Sequence, residues 1–181
     1  MTSPIEELIR EHAHIRKLLQ LVEKEIDKVA HEATPNVSLL MDIMQYLTRY
    51  VDVAHHPLEE LLIARYEEAA GTGNDAVEEC KRQHVSLGES GREFSAVVEA
   101  VREEQLVERV QFERVGRRFV QAQYDHIDLE ENRVFPALAE ALDEKAMQEV
   151  ADEMAARRDP LFGGIVEKEY SQLYDYIIRS A

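Results

Sequence analysis

Seven histidines stand out in this chain as residues able to do chemistry, and two of them open the same motif. His55-His56-Pro57-Leu58-Glu59-Glu60 and His126-Ile127-Asp128-Leu129-Glu130-Glu131 both read His-x-x-Leu-Glu-Glu. A lone histidine precedes each at nearly the same distance, His12 by 43 residues before His55 and His84 by 42 before His126. On a helix, residues i and i+4 share one face with Cβ atoms about 5–6 Å apart. A His and a Glu so spaced can hold one metal ion, or the Glu can bridge from that ion to a second. The chain thus reads as two helical hairpins, each supplying one His and then one His-x-x-x-Glu across a central cavity. Six side chains are predicted to converge: His12, His55, Glu59, His84, His126 and Glu130. Imidazole and carboxylate without thiolate suit iron, manganese or zinc. Two bridging carboxylates with open positions suit a pair of non-haem iron ions best, oxo- or hydroxo-bridged and able to take a diatomic ligand. Burying these groups without a metal would carry a heavy desolvation cost.

The neighbouring residues are read against that frame of six. His56 and Glu60 have the same i, i+4 spacing, but the match between the two motifs favours His55 with Glu59. Glu60 and Glu131 are then outer or surface residues. At 100° per residue His14 lies ~200° around the helix from His12 and is predicted to face solvent. His31, near the end of the first helix, is read as a cap or surface residue. Gly88 and Gly91 follow His84 by one and two turns, and either leave room for a small molecule or permit close helix packing. Pro57 removes a hydrogen bond to the Val53 carbonyl, which predicts a kink beside His55. Cys80, one turn before His84, is read as a small buried hydrophobe, with a thiol near the centre as the alternative, and Tyr124 as a core residue rather than a redox-active one or a donor to a bound oxygen species.

Long amphipathic helices must position these groups. Ile5, Leu8, His12, Ile15, Leu19, Val22, Ile26 and Val29 follow a 3-4 spacing that defines one helix face over about Pro4–Ala30. Similar stripes run over about Ser38–Ala69, Asp75–Glu104 and Leu106–Glu140. Thr34-Pro35-Asn36 and Gly71-Thr72-Gly73-Asn74 separate them, with Asn74 placed to cap a helix. The fold class is therefore all-α: an up-down-up-down antiparallel four-helix bundle over residues 1–140, with a helical extension over 141–181. Val166, Tyr170, Leu173 and Ile177 form the stripe by which that extension packs on the bundle.

Composition narrows the function classes. The chain has 181 residues and a net charge of −16, from 21 Lys+Arg against 37 Asp+Glu, which argues against nucleic acid and anionic membranes as partners. No apolar run reaches the ~18 residues of a membrane span. The start of the sequence lacks a basic and apolar leader, and a single cysteine fits a reducing compartment, so a cytoplasmic protein is expected. Neither a separate nucleophile nor an acid–base dyad is visible, and any turnover must belong to the metals.

Glu11-His12-x-x-Ile15, His55-His56-Pro57-Leu58-Glu59-Glu60, Gln83-His84 and His126-x-x-x-Glu130-Glu131-x-x-x-Phe135-Pro136 together resemble the hemerythrin-like, HHE cation-binding family. The resemblance covers roughly residues 1–140. It implies a carboxylate- and oxo-bridged di-iron centre in a helical bundle, with His12, His55, His84 and His126 ligating and Glu59 and Glu130 bridging. Oxygen-carrying hemerythrins carry a fifth histidine at the place Gly88 occupies here. Four His and two Glu look more like the branch that includes iron–sulfur-cluster repair proteins and the iron- and oxygen-sensing domain of a ubiquitin-ligase subunit. The leading expectation is a di-iron protein that binds O2 or NO for sensing, storage or stress response. The alternatives are a metal-centred oxidoreductase that decomposes peroxide or NO, and an iron-handling or cluster-repair protein.

Overall fold

Helix ends fall where local chemistry can satisfy the free backbone groups. In a computed structural model, which describes residues 3–155, 157–163 and 165–180, α1 spans Pro4–Ala30. Proline in its first turn gives up no hydrogen bond, and the Glu6 carboxylate accepts the Ser3 N–H at 3.0 Å. The Asn36 side chain caps α2 (Val37–Tyr46) by accepting from Leu39 N–H at 3.1 Å. Asn74 caps α4 (Asp75–Arg102) by accepting from Ala76 and Val77, as its position predicts. Between them α3 (His56–Ala70) stops at Gly71, whose φ of 85° suits a residue without a Cβ. The next long stretch is α5 (Arg109–Leu129) followed by α6 (Phe135–Ala141), and the remainder forms α7 (Glu144–Ala155), a 3₁₀ turn at Lys168–Tyr170, and α8 (Ser171–Ser180). Among the described residues there is no strand, and the fold is an all-α helical bundle.

Two stretches read from sequence as uninterrupted α-helix are not. Leu47–His55 joins α2 to α3, and Glu130–Val134 joins α5 to α6, as π-helical turns. His56 N–H bonds to the Val51 carbonyl and Phe135 N–H to the Glu130 carbonyl, both five residues back. Each π segment runs directly into a proline, Pro57 or Pro136, in the first turn of the helix that follows. A proline cannot donate to the carbonyl four residues earlier and its ring collides with it; widening the turn by one residue moves that carbonyl away from the ring. The kink expected at Pro57 is thus a wide turn on its N-terminal side.

α1 packs along α5, α5 along α4, and α4 against α2, while α3 meets α6 and α7. At Gly116 a Cβ would lie 2.7 Å from Ile26 Cδ1 and 2.9 Å from Phe94, so α5 reaches α1 and α4 only because this position has no side chain. The apolar core divides in two. One cluster contains Ile15, Leu19, Val22, Ile26, Val51, Phe94, Phe119 and Ile127; the other contains Ile5, Leu8, Leu58, Leu62, Val77, Cys80, Val134 and Phe135. Each long stretch crosses from one cluster to the other at a candidate ligand: His12 between Leu8 and Ile15, His55 between Val51 and Leu58, His84 between Cys80 and Phe94, His126 and Glu130 between Phe119 and Val134. A polar layer therefore cuts the core at one level.

Tail residues enter the first cluster through Leu161, Tyr170 and Leu173, with Val166 and Ile177 packed against it. Asp159 accepts from Tyr46 Oη at 2.9 Å and turns the chain by accepting from Leu161 and Phe162 N–H. Arg157 donates to the Ala54 carbonyl at 2.6 Å, satisfying an acceptor within the first π segment. No helix of the described residues is long and apolar enough to cross a membrane.

Candidate metal centre

The six side chains singled out by spacing meet in the polar layer. His12, His55, Glu59, His126 and Glu130 are almost wholly buried, and the His84 side chain is 8% exposed. The four imidazoles turn Nε2 inward. His55 Nε2 lies 2.9 Å from Glu59 Oε1, and His84 Nε2 lies 3.3 Å from Glu59 Oε2 and 3.6 Å from Glu130 Oε1. His12 Nε2 is 3.4 Å from Glu59 and 3.2 Å from Glu130; His126 Nε2 is 3.4 Å from Glu130. Both carboxylates thus face histidines of both hairpins.

The opposite ring nitrogens point outward, each to an oxygen acceptor. His55 Nδ1–H donates to Glu11 Oε2 at 2.6 Å and His126 Nδ1–H to Gln83 Oε1 at 3.2 Å. His84 Nδ1–H donates to Glu60 at 2.6 Å and His12 Nδ1–H to Glu131 at 3.0 Å. The pattern is two-fold. In each hairpin the residue before the lone His accepts from the His of the His-x-x-x-Glu pair. The residue after each central Glu accepts from the lone His of the other hairpin. Glu60 and Glu131 take the outer position that their spacing left open to them, whereas sequence reading assigns no task to Glu11 and Gln83. The signal was their adjacency to the six, repeated in both hairpins.

With Nδ1 protonated, each neutral ring offers a lone pair at Nε2, aimed at carboxylate oxygens that also offer lone pairs. His12 Nε2, His126 Nε2, both Glu59 oxygens and Glu130 Oε2 are buried and form no hydrogen bond. Only positive charge between them reconciles such an arrangement. Protons supply part of it when the protein groups act alone. Burial opposes charging His55, but the Glu59 and Glu11 carboxylates outweigh it and lift its pKa to about 9. At His126 burial prevails, helped by the neighbouring His84 and His56, and the pKa falls to about 4. Burial and the Glu59 charge oppose ionisation of Glu130, yet His126, His12 and His84 hold it down at about 2. A metal cation meets the same demand with more of the donors at once, and acceptors behind ligating histidines are what such sites require. The residues fit a histidine–carboxylate metal centre.

Other readings are settled by position. His56 is buried, its ring centroid 4.5 Å from that of His84 and 5.6 Å from that of His126. One nitrogen or oxygen from each of His56, Glu59, His84 and His126 can be chosen within 4.8 Å of the others, and the same holds for His12, His55 and Glu59. Cys80 is buried as expected, but it is not merely a hydrophobe: its thiol donates to Glu130 Oε1 at 3.2 Å. Burial, with the Glu130 charge adding to it, pushes this thiol up to about 12. His14 does not face solvent freely; it stacks on Phe162 of the tail at 4.1 Å between ring centroids. His31 caps α1 and its Nδ1 bonds the Asp27 carbonyl at 2.7 Å. A Cβ on Gly91 would meet Thr48 and Phe119, which makes this glycine a packing residue, and at Gly88 it would meet the Arg92 guanidinium. Tyr124 is half-buried and donates to Glu23 at 2.9 Å. A cavity of about 510 Å³ opens between α1 and the tail, lined by Glu11, His14, Tyr50, Arg157 and Phe162 among others. It touches the centre through Glu11 alone, which Tyr50 also reaches at 3.1 Å.

A helical bundle that buries a histidine–carboxylate layer with outward-facing acceptors belongs to the class of cation-binding domains built inside helices. The family can be given: the hemerythrin HHE cation-binding domain model matches residues 3–138, and the chain belongs to that family. No match was found among curated proteins.

Proposed function

We propose that this protein holds two iron ions at the convergence of its two hairpins and takes up O2 or NO there, in sensing, storage or stress response. His12, His55, His84 and His126 are the terminal ligands, and Glu59 and Glu130 bridge. Residues 1–140 form the metal-binding unit and 141–181 a helical cover. The observation that carries this reading is the set of five buried, unpartnered donor atoms on His12, Glu59, His126 and Glu130. Iron, when bound, supplies an open position and the electrons that a diatomic ligand needs. The chain's own groups do the rest. Glu11, Gln83, Glu60 and Glu131 fix the Nδ1–H tautomer and aim each Nε2 inward. The two apolar clusters above and below keep bulk water from the layer.

Metal analysis of freshly purified protein beside a His84→Ala variant tests the centre. Two iron atoms per chain, halved or lost in the variant, are expected; zinc alone would overturn the iron reading. Adding O2 or NO to the anaerobic ferrous protein then tests the ligand. New charge-transfer bands are expected, and a flat difference spectrum with iron bound would sink the binding role.

A further inference from the structure

The second hairpin brings to the centre a donor that the first lacks. Cys80 sits one turn before His84 on α4, fully buried. Its Sγ lies 3.2 Å from Glu130 Oε1 and 3.8 Å from His84 Nε2. One donor atom from each of Cys80, His84, His126 and Glu130 can be chosen so that all four lie within 4.8 Å of one another. Donors that share a cation through bonds of about 2.0–2.3 Å stand roughly 3.1–3.6 Å apart. The sulfur–carboxylate separation is already at that spacing, and the sulfur–imidazole separation is a small side-chain rotation away. Independently of the thiol, His126 Nε2 and Glu130 Oε2 are buried without partners and face the same space.

We propose that Cys80 is a metal ligand, forming with His84, His126 and Glu130 a mixed thiolate–imidazole–carboxylate position for one of the two divalent ions, one that accepts thiophilic cations such as zinc or cobalt as well as ferrous iron. The inference rests on the dinuclear reading above and makes its two positions unlike. The His12–His55–Glu59 position has no sulfur within its donor set and suits a harder cation such as ferrous iron. Binding at the Cys80 position breaks the S–H bond, releases the proton to solvent and forms a metal–sulfur bond with both electrons from sulfur. No atom changes oxidation state. A thiolate at one position alone makes that position the better of the two for thiophilic ions, because sulfur raises the affinity for zinc and cobalt more than for manganese.

Cobalt(II) titration of the metal-stripped full chain tests this, with Cys80→Ser in parallel. The wild type is expected to show a near-ultraviolet sulfur-to-cobalt charge-transfer band that saturates at one cobalt, beside visible d–d bands that grow to two. Cys80→Ser should lose the charge-transfer band, keep the d–d bands and bind zinc roughly tenfold or more weakly at one position. Visible bands without charge transfer in the wild type would overturn the proposal and leave Cys80 a hydrogen-bond donor to Glu130. No cobalt bands of either kind would overturn the dinuclear reading itself. X-ray absorption on zinc-loaded wild type needs no substitution. A sulfur scatterer at about 2.3 Å supports the ligand, and a shell of nitrogen and oxygen alone rules it out.

Discussion

The two hairpins build their halves of the centre from one pattern and surround them differently. Around His55 and His12 the outer acceptors are the carboxylates of Glu11 and Glu131, the first 12% exposed and the second also held by Arg16 at 2.6 Å. Around His126 and His84 they are the neutral amide of Gln83 and the Glu60 carboxylate, which is 48% exposed. The first half is closed by the tail, through Arg157 on Ala54 and Phe162 on His14. The second half has further side chains against it instead, with His56 stacked on His84 and Cys80 bonded to Glu130. The first half is thus the more enclosed, and the second the richer in neighbouring ligand-type side chains.

Removing the metal from both halves gives the largest effect. An ion bound at a thousand times its Kd adds about 4 kcal/mol of stability. For two ions in a chain of this size, chelation should lower the melting temperature by roughly 15 °C or more. Hydrogen exchange on the stripped protein should then separate the halves, with protection lost first around His84. Equal loss around His55 would erase the contrast drawn here. An unchanged melting curve would count against the centre altogether.

Ligand deletions come next. His55 has the His12 and His56 rings at 5.0 and 5.8 Å between centroids, whereas His84 has the His56 ring closer, at 4.5 Å, and the Cys80 thiol besides. His55→Ala is therefore expected to retain fewer metal ions per chain than His84→Ala, read by metal analysis after gel filtration. The reverse order would show that the exposed half dominates affinity.

The outer acceptors sharpen the contrast at smaller scale. Replacing the partner behind a ligating histidine costs about 10–100-fold in metal affinity when that partner is buried. Glu11→Gln should fall in this range. An exposed pair contributes about 0–1 kcal/mol, so Glu60→Gln should change affinity by no more than about fivefold. Competition with a calibrated chelator measures both, and similar losses would mean that exposure does not set the strength of these contacts.

How far such differences can be read from sequence depends on what each one rests on. The helical stripes were legible because burial repeats at the helical period, and the convergence of His12, His55, Glu59, His84, His126 and Glu130 because two hairpins repeat one spacing. The π segments were not legible. Leu47–His55 keeps an ordinary apolar stripe, and only Pro57 and Pro136 marked that the backbone had to give nearby. Gln83 and Glu11 were visible as neighbours of histidines, but their task depends on which way the facing ring turns. Cys80 was legible on the right face, but whether its thiol reaches the centre was not, because the position of Glu130 beside it follows from the crossing of α4 and the second π segment. His14 was judged from its own helix, and its cover comes from Phe162, 148 positions along the chain.

Protonation in the metal-stripped protein gives the smallest and most local comparison. His55 is lifted to about 9, and the protons it gains on folding stabilise the structure fully below its ordinary value near 6.5. That contribution is lost as pH rises through about 9. His126 is depressed to about 4, so folding holds it neutral and costs stability as pH falls below 6.5, with the loss complete below about 4. His55 and His126 thus pull in opposite directions, one losing support in mild base and the other in mild acid, while His84 in the same half as His126 is raised like His55. Ring carbon shifts followed by NMR from pH 3 to 10 should show two widely separated transitions. Gln83→Glu should move the His126 transition upward, since the substitution gives it the kind of acceptor that His55 already has in Glu11. If it does not move, the acceptor is not what divides the two rings, and burial with the proximity of His84 and His56 to His126 must account for the difference.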